Sequence, residues 1–312
     1  MCAQRRLLGS TSLRFGVLGI GTAALATAYG APGGERAAPT PAIARRTLER
    51  ALERGITLID TAPAYGNAEA IVGAACRDTE CAIATKVAIP SAGWESLSPA
   101  EVSAHVQRSA HESLEAIGRE RIDLLQIHNA DVDLVARGTV PAALEELRRE
   151  GLVRGCGATV YGEENALAAI ACPVFDAVQI AYSALDRRPE RTVLTAAADA
   201  GTTVIVRSVL LRGVLTSAGR GLEDEFAPLR AAADRFRVAI DASWDELAGA
   251  AVAFSLTRPG VDCTLLGPRD VDELEALLRG ADRFLEAARE LSGDWDSGLT
   301  ATMLDPSRWT GA

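Results

Sequence analysis

The segment Gly55-Ile-Thr-Leu-Ile-Asp-Thr-Ala-Pro-Ala-Tyr-Gly66 joins a short apolar run to a polar turn that carries an acid and a tyrosine. The run Thr57–Asp60 is typical of a buried strand, and the amphipathic stretch Pro41–Arg54 just before it is typical of a helix. This stretch begins with proline and is followed by Gly55, as helices often begin and end. The segment therefore marks a helix that is followed by a buried strand, and the same unit recurs along the chain.

Short apolar strands alternate with amphipathic helices over most of the sequence. Besides Thr57–Asp60, the predicted strands are Val17–Ile20, Ala82–Val87, Ile122–His128, Leu152–Ala158, Ala177–Ala181, Thr203–Val206 and Cys263–Leu266. After Pro41–Arg54, the predicted helices are Pro99–Ile117, Pro141–Arg149, Glu163–Ile170, Thr192–Ala200, Trp244–Leu256 and Val271–Leu278. The pattern predicts an α/β fold, a single (β/α)₈ TIM barrel over residues 1–312 that begins with a hairpin. An open doubly wound sheet is the alternative, but Leu18-Gly19-Ile20-Gly21-Thr22 is only a partial form of its dinucleotide-binding turn.

Composition argues against several classes of protein. A net charge of −10 and an isoelectric point near 5.0 disfavour nucleic acid or an anionic membrane as the partner. The six cysteines contain no C-x-x-C pair, so we expect no disulfide, no structural zinc and a reducing, cytoplasmic setting. The apolar run Phe15–Ala28 resembles a secretory signal, but three glycines interrupt it and its removal would delete the first strand. We therefore expect this run to belong to the fold.

Four titratable side chains fall at the carboxyl ends of three consecutive predicted strands. The second strand ends at Asp60 with Tyr65 in the loop after it, the third ends at Lys86, and the fourth ends at His128. In a barrel of this type the carboxyl ends of the strands form one mouth, where the chemistry takes place. Any one of these residues could serve packing or capping alone. Four at matching strand ends is not a packing requirement, so we expect them to converge on one site.

The four residue types have a coherent chemistry. Lys86 is the only lysine among the 32 lysine and arginine residues of the chain. An ammonium ~4 Å from Tyr65 would stabilise the phenolate by on the order of 4 kcal/mol at an effective dielectric constant of 20, and would lower the pKa of Tyr65 toward neutrality. Asp60 would keep Lys86 protonated, and His128 would hydrogen-bond a substrate carbonyl. The set suits proton donation to a developing alkoxide. It contains no activated nucleophile, and its ligand types are poor for a metal site, so we expect none.

These segments resemble the aldo-keto reductase superfamily. Gly55–Gly66 is similar to its Asp–Tyr signature, and Ile83–Lys86 and Asp123–His128 are similar to its lysine and histidine strands. Later segments that resemble the family are Gly151–Gly157, Val178–Ser183 and Arg207–Gly213, so the resemblance runs from about Leu7 to Leu278.

The resemblance implies a barrel that binds NAD(P)H across the strand ends and passes hydride to an aldehyde or ketone. Asp60, Tyr65, Lys86 and His128 become the catalytic tetrad, with Tyr65 as the proton donor. Thr159 and Gln179 would hold the nicotinamide amide. The full set of implied cofactor-binding residues is Gly21, Thr22, Asp60, Thr159, Gln179, Arg207, Ser208, Leu210, Arg212, Gly267 and Arg269.

The chain departs from the family pattern at both ends of the implied cofactor site. Arg207 stands where an aromatic residue usually stacks on the nicotinamide, although an arginine plane can also stack. Ala276 and Leu277 replace the pair that usually binds adenine. Arg269 would act largely alone on a 2′-phosphate in acidic surroundings, formed by Asp270, Asp272 and Glu273. The resemblance favours NADP(H) over NAD(H).

Three functional interpretations stay open. The first is a cytoplasmic reductase of a small-molecule carbonyl, such as a sugar or a secondary-metabolite intermediate. The second is an NAD-dependent sugar or alcohol dehydrogenase, and the third is a cofactor-binding regulatory subunit. The tail Gly293–Ala312 falls where the family has its C-terminal specificity loop, and Trp94, Trp295 and Trp309 are candidates for lining the substrate pocket.

Overall fold

The computed structural model of the chain describes residues 5–9, 11–31, 35–90 and 93–309. Strands β1 (Arg5–Leu7) and β2 (Arg14–Gly16) form an antiparallel hairpin. Eight more strands in the described residues form a closed parallel barrel: β3 (Leu18–Gly21), β4 (Leu58–Asp60), β5 (Ala82–Ala88), β6 (Ile122–Ala130), β7 (Val153–Val160), β8 (Ala177–Ala181), β9 (Thr203–Arg207) and β10 (Cys263–Leu266). Each barrel strand pairs with the next in sequence, and β10 pairs with β3 to close the barrel. The predicted (β/α)₈ barrel and its hairpin are confirmed.

Helices cover the outside of the barrel. They are α1 (Ala23–Ala26), α2 (Pro41–Glu53), α3 (Ala68–Cys76), α4 (Pro99–Ile117), α5 (Val132–Arg137), α6 (Thr139–Arg149), α7 (Glu163–Ala171), α8 (Val193–Ala200), α9 (Ala227–Ala239), α10 (Leu247–Leu256) and α11 (Val271–Glu290). Helices α1, α3, α5 and α9 were not predicted from the sequence, and α11 was predicted to end at Leu278. The helix continues because Gly280 packs against Gly249 of α10, where an added Cβ at Gly280 would lie 2.9 Å from the Gly249 Cα.

The inside of the barrel has an apolar lower layer and a polar upper layer. The lower layer consists of Leu58, Ala82, Ala84, Leu124, Ala177, Ile205, Cys263 and Leu265, which form one buried cluster with Phe15 of β2 and with Leu8, the residue after β1. Since side chains alternate along a strand, the residue two positions after an inward-facing one also faces inward. Asp60, Lys86, Gln126 and Gln179 follow lower-layer residues in this way, and all four are buried. The polar site therefore lies directly above a buried apolar layer, and the hairpin covers the opposite side of that layer.

No helix in the described ranges is long and apolar enough to cross a bilayer. The five described cysteines, Cys76, Cys81, Cys156, Cys172 and Cys263, are free thiols. Cys2 lies outside the described residues.

Candidate active site

An ion pair between Lys86 and Asp60 lies at the centre of the site. Lys86 Nζ is 2.7 Å from Asp60 Oδ2 and donates a second hydrogen bond to the Thr61 carbonyl oxygen at 2.8 Å. The lysine and aspartate side chains are only 1% and 5% exposed. The pair forms because β4 and β5 are neighbouring parallel strands whose inner faces end at the same mouth. Each buried charge needs the other, since an unpaired ion in this position would be strongly destabilising.

Two amides complete the hydrogen bonding of the Asp60 carboxylate. Asp60 Oδ1 accepts from Gln126 Nε2 at 3.1 Å and from Gln179 Nε2 at 2.8 Å. Gln179 Nε2 also lies 3.4 Å from Gln126 Oε1. Gln126 was not predicted as a site residue. A polar side chain two residues before His128, inside an apolar strand, was the signal that could have indicated it.

Tyr65 and His128 stand over this network. Tyr65 ends a single 3₁₀ turn, Pro63–Tyr65, after β4, and its ring centroid lies 5.1 Å from Lys86 Nζ. The His128 ring meets the Tyr65 ring edge-on, with centroids 6.0 Å apart. Both side chains are half-buried and line the same cleft. The phenol and the imidazole therefore face one space in which a small molecule could lie between them.

Burial controls the electrostatics of these groups. It raises the pKa of Tyr65 above its ordinary value; the charge of Asp60 adds to the rise and Arg207 opposes it. The raised pKa contradicts the prediction that Lys86 brings the pKa of Tyr65 toward neutrality, because burial and then the charge of Asp60 act in the opposite direction. Burial lowers the pKa of Lys86 while Asp60 opposes that change. Burial, and then the charge of Lys86, lower the pKa of His128 to about 4, so its imidazole is neutral at physiological pH.

All the predicted site residues line a single cleft of about 1020 Å³ over the strand ends. They include the four titratable residues Asp60, Tyr65, Lys86 and His128. The others are Gly21, Thr22, Thr159, Gln179, Arg207, Ser208, Leu210, Arg212, Gly267 and Arg269. The cleft also contains residues that the sequence analysis missed, among them Tyr29, Tyr161 and Arg36. No periodicity or motif pointed to these three, because each enters from a loop.

The cleft contains buried donors that suit the phosphates of a dinucleotide. Arg212 Nε and Arg269 Nε are buried and have no hydrogen-bond partner in the described part of the chain. Buried donors without acceptors cost free energy, and phosphate oxygens would supply the acceptors. Ser208, Leu211 and Arg212 also have positive φ angles of 60°, 45° and 50°, which side-chain-bearing residues rarely adopt. Such strain is typical of ligand-binding loops. The residues present therefore fit a dinucleotide cofactor.

The other end of the cleft suits a planar amide. Thr159 Oγ1 accepts from the Asn129 backbone N–H at 2.9 Å, which leaves the hydroxyl hydrogen available as a donor. Gln179 directs its Nε2 at the acceptor-only carboxylate of Asp60, which leaves Oε1 as the acceptor for another group. The Arg207 guanidinium stacks on Tyr161, with its Cζ 4.1 Å from the ring centroid. Thr22, in contrast, uses its hydroxyl to bond the Asp60 carbonyl at 3.1 Å.

Arg269 does not stand alone at the far end of the cleft. Its guanidinium donates to the carbonyl oxygens of Arg36 and Ala37. Arg36 pairs with Glu273, and the positive charge of Arg36 adds to burial in lowering the pKa of Arg269. Arg36 thus brings a second guanidinium group to a place where Arg269 was expected to act largely alone among acidic residues.

None of Trp94, Trp295 and Trp309 lines the cleft, so the prediction that they form a substrate pocket is wrong. Trp295 instead packs against phenylalanines of α9 and α10 and donates its Nε1 to the Ala184 carbonyl at 2.6 Å. Of the tail, Pro306 reaches the cleft. Residues 310–312 lie outside the described residues.

Comparison with known proteins identifies the family. The model of the Aldo/keto reductase family matches residues 17–288. Aldo-keto reductase YhdN of Bacillus subtilis is 32% identical over 74% of this chain and 76% of its own length. Pyridoxal 4-dehydrogenase of Microbacterium luteolum is 30% identical over 87% of this chain and 91% of its own length. NADH-specific methylglyoxal reductase of Escherichia coli is 31% identical over 67% of this chain and 68% of its own length.

The family match covers most of the barrel, including β3 to β10 and therefore every strand that contributes to the cleft. A closed eight-stranded barrel with the polar site at its carboxyl end is the arrangement that the match requires. The chain belongs to the aldo/keto reductase family and is an NAD(P)H-dependent oxidoreductase that acts on carbonyl compounds.

Proposed function

We propose that the protein reduces a small aldehyde or ketone with hydride from NADPH and a proton from the Tyr65 hydroxyl. The observation that carries the proposal is the half-buried Tyr65 phenol beside the buried Lys86–Asp60 pair and the neutral imidazole of His128. We further propose that the chain works as one (β/α)₈ domain over residues 1–312. The acidic isoelectric point and unpaired cysteines support the cytoplasm as its location.

The proposed reaction gives each side chain a separate task. NADPH, when bound, supplies hydride to the carbonyl carbon. Tyr65 carries the proton, because burial raises its pKa and keeps the phenol protonated at neutral pH. His128 is neutral and can donate a hydrogen bond to the carbonyl oxygen, which places that oxygen near the Tyr65 hydroxyl. Lys86 stabilises the phenolate that remains after the proton moves to the alkoxide.

The raised pKa of Tyr65 also bears on whether the protein reduces a carbonyl or oxidises an alcohol. The name of the Microbacterium luteolum relative favours a second candidate, oxidation of an alcohol. Oxidation would need Tyr65 as a phenolate base, and burial opposes that form at neutral pH. Reduction uses the protonated phenol, so we favour reduction of a carbonyl as the working direction near pH 7.

Arg36 and Arg269 support NADPH over NADH. Together they offer positive charge and one buried, unpaired N–H donor at the end of the cleft where a 2′-phosphate would lie. Glu273 opposes this preference, since its carboxylate already pairs with Arg36 and accepts from the Arg269 backbone N–H at 3.0 Å. The Escherichia coli relative is NADH-specific by name, so members of this family differ in this choice.

Tyr65→Phe should lower turnover by about 10²-fold or more, because it removes the proposed proton donor while leaving the ring in place. Turnover is measured as NADPH consumption with a panel of aldehydes, ketoses and nucleotide-linked keto sugars. Cofactor affinity, measured by quenching of tryptophan fluorescence, should stay within a few-fold of wild type. Equal turnover in both proteins would refute Tyr65 as donor. Absence of turnover in both, with intact cofactor binding, would favour the regulatory-subunit interpretation.

Arg269→Ala should weaken NADPH binding by roughly tenfold and leave NADH binding nearly unchanged, because only NADPH carries the 2′-phosphate. Glu273→Gln should strengthen NADPH binding, since it removes the competing carboxylate. Both effects are read by titrating the two cofactors side by side. Equal weakening of NADPH and NADH in Arg269→Ala would contradict the proposed phosphate contact.

His128 should titrate near pH 4 in the wild-type protein, because burial and then the charge of Lys86 lower the pKa of its imidazole. Since the unfolded chain takes up this proton near pH 6.5 and the folded chain only near pH 4, stability should fall as the pH drops through that window. NMR of the imidazole signals measures the titration. His105 and His111, the other two histidines, lie outside the cleft and serve as internal controls. A wild-type His128 midpoint of 6.5 would contradict this account.

A further inference from the structure

We propose that Gln126 is a positioning residue of this reaction: its amide helps to hold Oδ1 of Asp60, the oxygen that Lys86 does not bond, and draws the negative charge of that carboxylate away from Lys86 and Tyr65. The role goes beyond the four titratable residues of the site. It rests on the proposed function in one respect, namely that Tyr65 is the group whose proton moves.

Gln126 acts from beneath the site. It lies on the inner face of β6 between Leu124 in the apolar layer and His128 at the mouth, and its register partner on β5 is Lys86. Its side chain is fully buried. It does not line the cleft, although Gln179 does. Gln126 therefore touches neither substrate nor cofactor, and any effect on the reaction must pass through its neighbours.

The hydrogen bonds of Asp60 show what the amide does. Oδ2 is engaged by Lys86 at 2.7 Å, and Oδ1 accepts from Gln126 at 3.1 Å and from Gln179 at 2.8 Å. Within the described residues, the carboxylate to which the Gln126 amide donates a hydrogen bond is that of Asp60. A buried amide is costly unless it is bonded, and an apolar residue would suit the surrounding strand. The polar side chain at this position is thus explained by the charge it contacts.

The charge on Asp60 matters because it changes the pKa of two neighbouring groups, Lys86 and Tyr65. Lys86 is faced by Asp60 from β4, by Tyr65 from the loop after it, by Glu69 from α3, by His128 from β6 and by Arg207 from β9. Among these, Asp60 raises the pKa of Lys86 and also raises the pKa of Tyr65. An N–H dipole pointing at Oδ1 offsets part of that negative charge. The Tyr65 phenol consequently remains a better proton donor than an unassisted Asp60 would allow.

The single lysine of the chain makes the proposal directly measurable. Protein labelled with lysine carrying ¹³C at Cε gives one lysine resonance, which belongs to Lys86. Gln126→Met keeps the length of the side chain but removes the donor. The Lys86 titration midpoint should rise by about 0.5–1 pH unit in this variant, because the field of Asp60 at Nζ becomes stronger. The measurement needs neither substrate nor cofactor, so its outcome is separate from that of Tyr65→Phe.

Kinetics supply the second readout. Gln126→Met should lower turnover roughly tenfold and shift the basic limb of the pH profile upward, because the Tyr65 phenol becomes a weaker acid. Its affinity for NADPH should stay within about twofold of wild type. Gln179→Met should instead reduce both turnover and cofactor affinity, since Gln179 lines the cleft.

Leu124→Met is the matched control, because it alters packing on the same face of the same strand without removing a donor to Asp60. It should leave the Lys86 midpoint and the pH profile at their wild-type positions. If Gln126→Met does not fold, Gln126→Leu removes the same donor and is tested in the same way. A Gln126 variant whose Lys86 midpoint equals that of wild type, or equals that of Leu124→Met, would overturn the proposal.

Discussion

The buried ion pair between Asp60 and Lys86 is the constraint on which the site depends. The two charged groups are 2.7 Å apart and almost completely buried, so neither charge could be tolerated without the other. The pair also needs its remaining hydrogen bonds, which come from the Thr61 carbonyl and from the amides of Gln126 and Gln179. These groups lie on or directly after four different strands. The barrel must therefore close in the correct register before the charges can be buried.

The layering of the barrel interior explains how a small polar site acquires strongly altered acidities. Apolar side chains and the N-terminal hairpin exclude water from below, and burial is the largest influence on the pKa of Tyr65, of Lys86 and of His128. Tyr65 stays protonated and His128 stays neutral for the same reason. Both states are the ones that proton donation to a carbonyl oxygen requires. In the proposed reaction, the fold keeps Tyr65 in its acid form, and the Lys86 ammonium would stabilise the conjugate base.

Local sequence patterns were sufficient for the barrel and for the place of the four titratable residues. Strand ends can be read from alternation, and parallel strands bring their ends together, so Asp60, Lys86 and His128 were expected at one mouth. Contacts across the barrel were harder to predict. The polar Gln126 was taken as an ordinary member of an apolar strand, because nothing local shows that it reaches Asp60, and Arg36 lies in an aperiodic loop. Helix α3 was missed because seven of its nine residues are buried, which leaves no polar face to detect. The acidity of Tyr65 was misjudged because it depends on burial and on the counter-charge of Asp60.

In the proposed reaction, the compact ammonium of Lys86, held by Asp60, enables Tyr65 to give up its proton. Turnover of Lys86→Arg measures how far the reaction depends on this ammonium, since the substitution keeps the positive charge and changes its size and geometry. We expect a folded Lys86→Arg protein that still binds NADPH to lose turnover by about 100-fold or more. A folded Lys86→Arg protein with full turnover would show that Tyr65 does not need the ammonium.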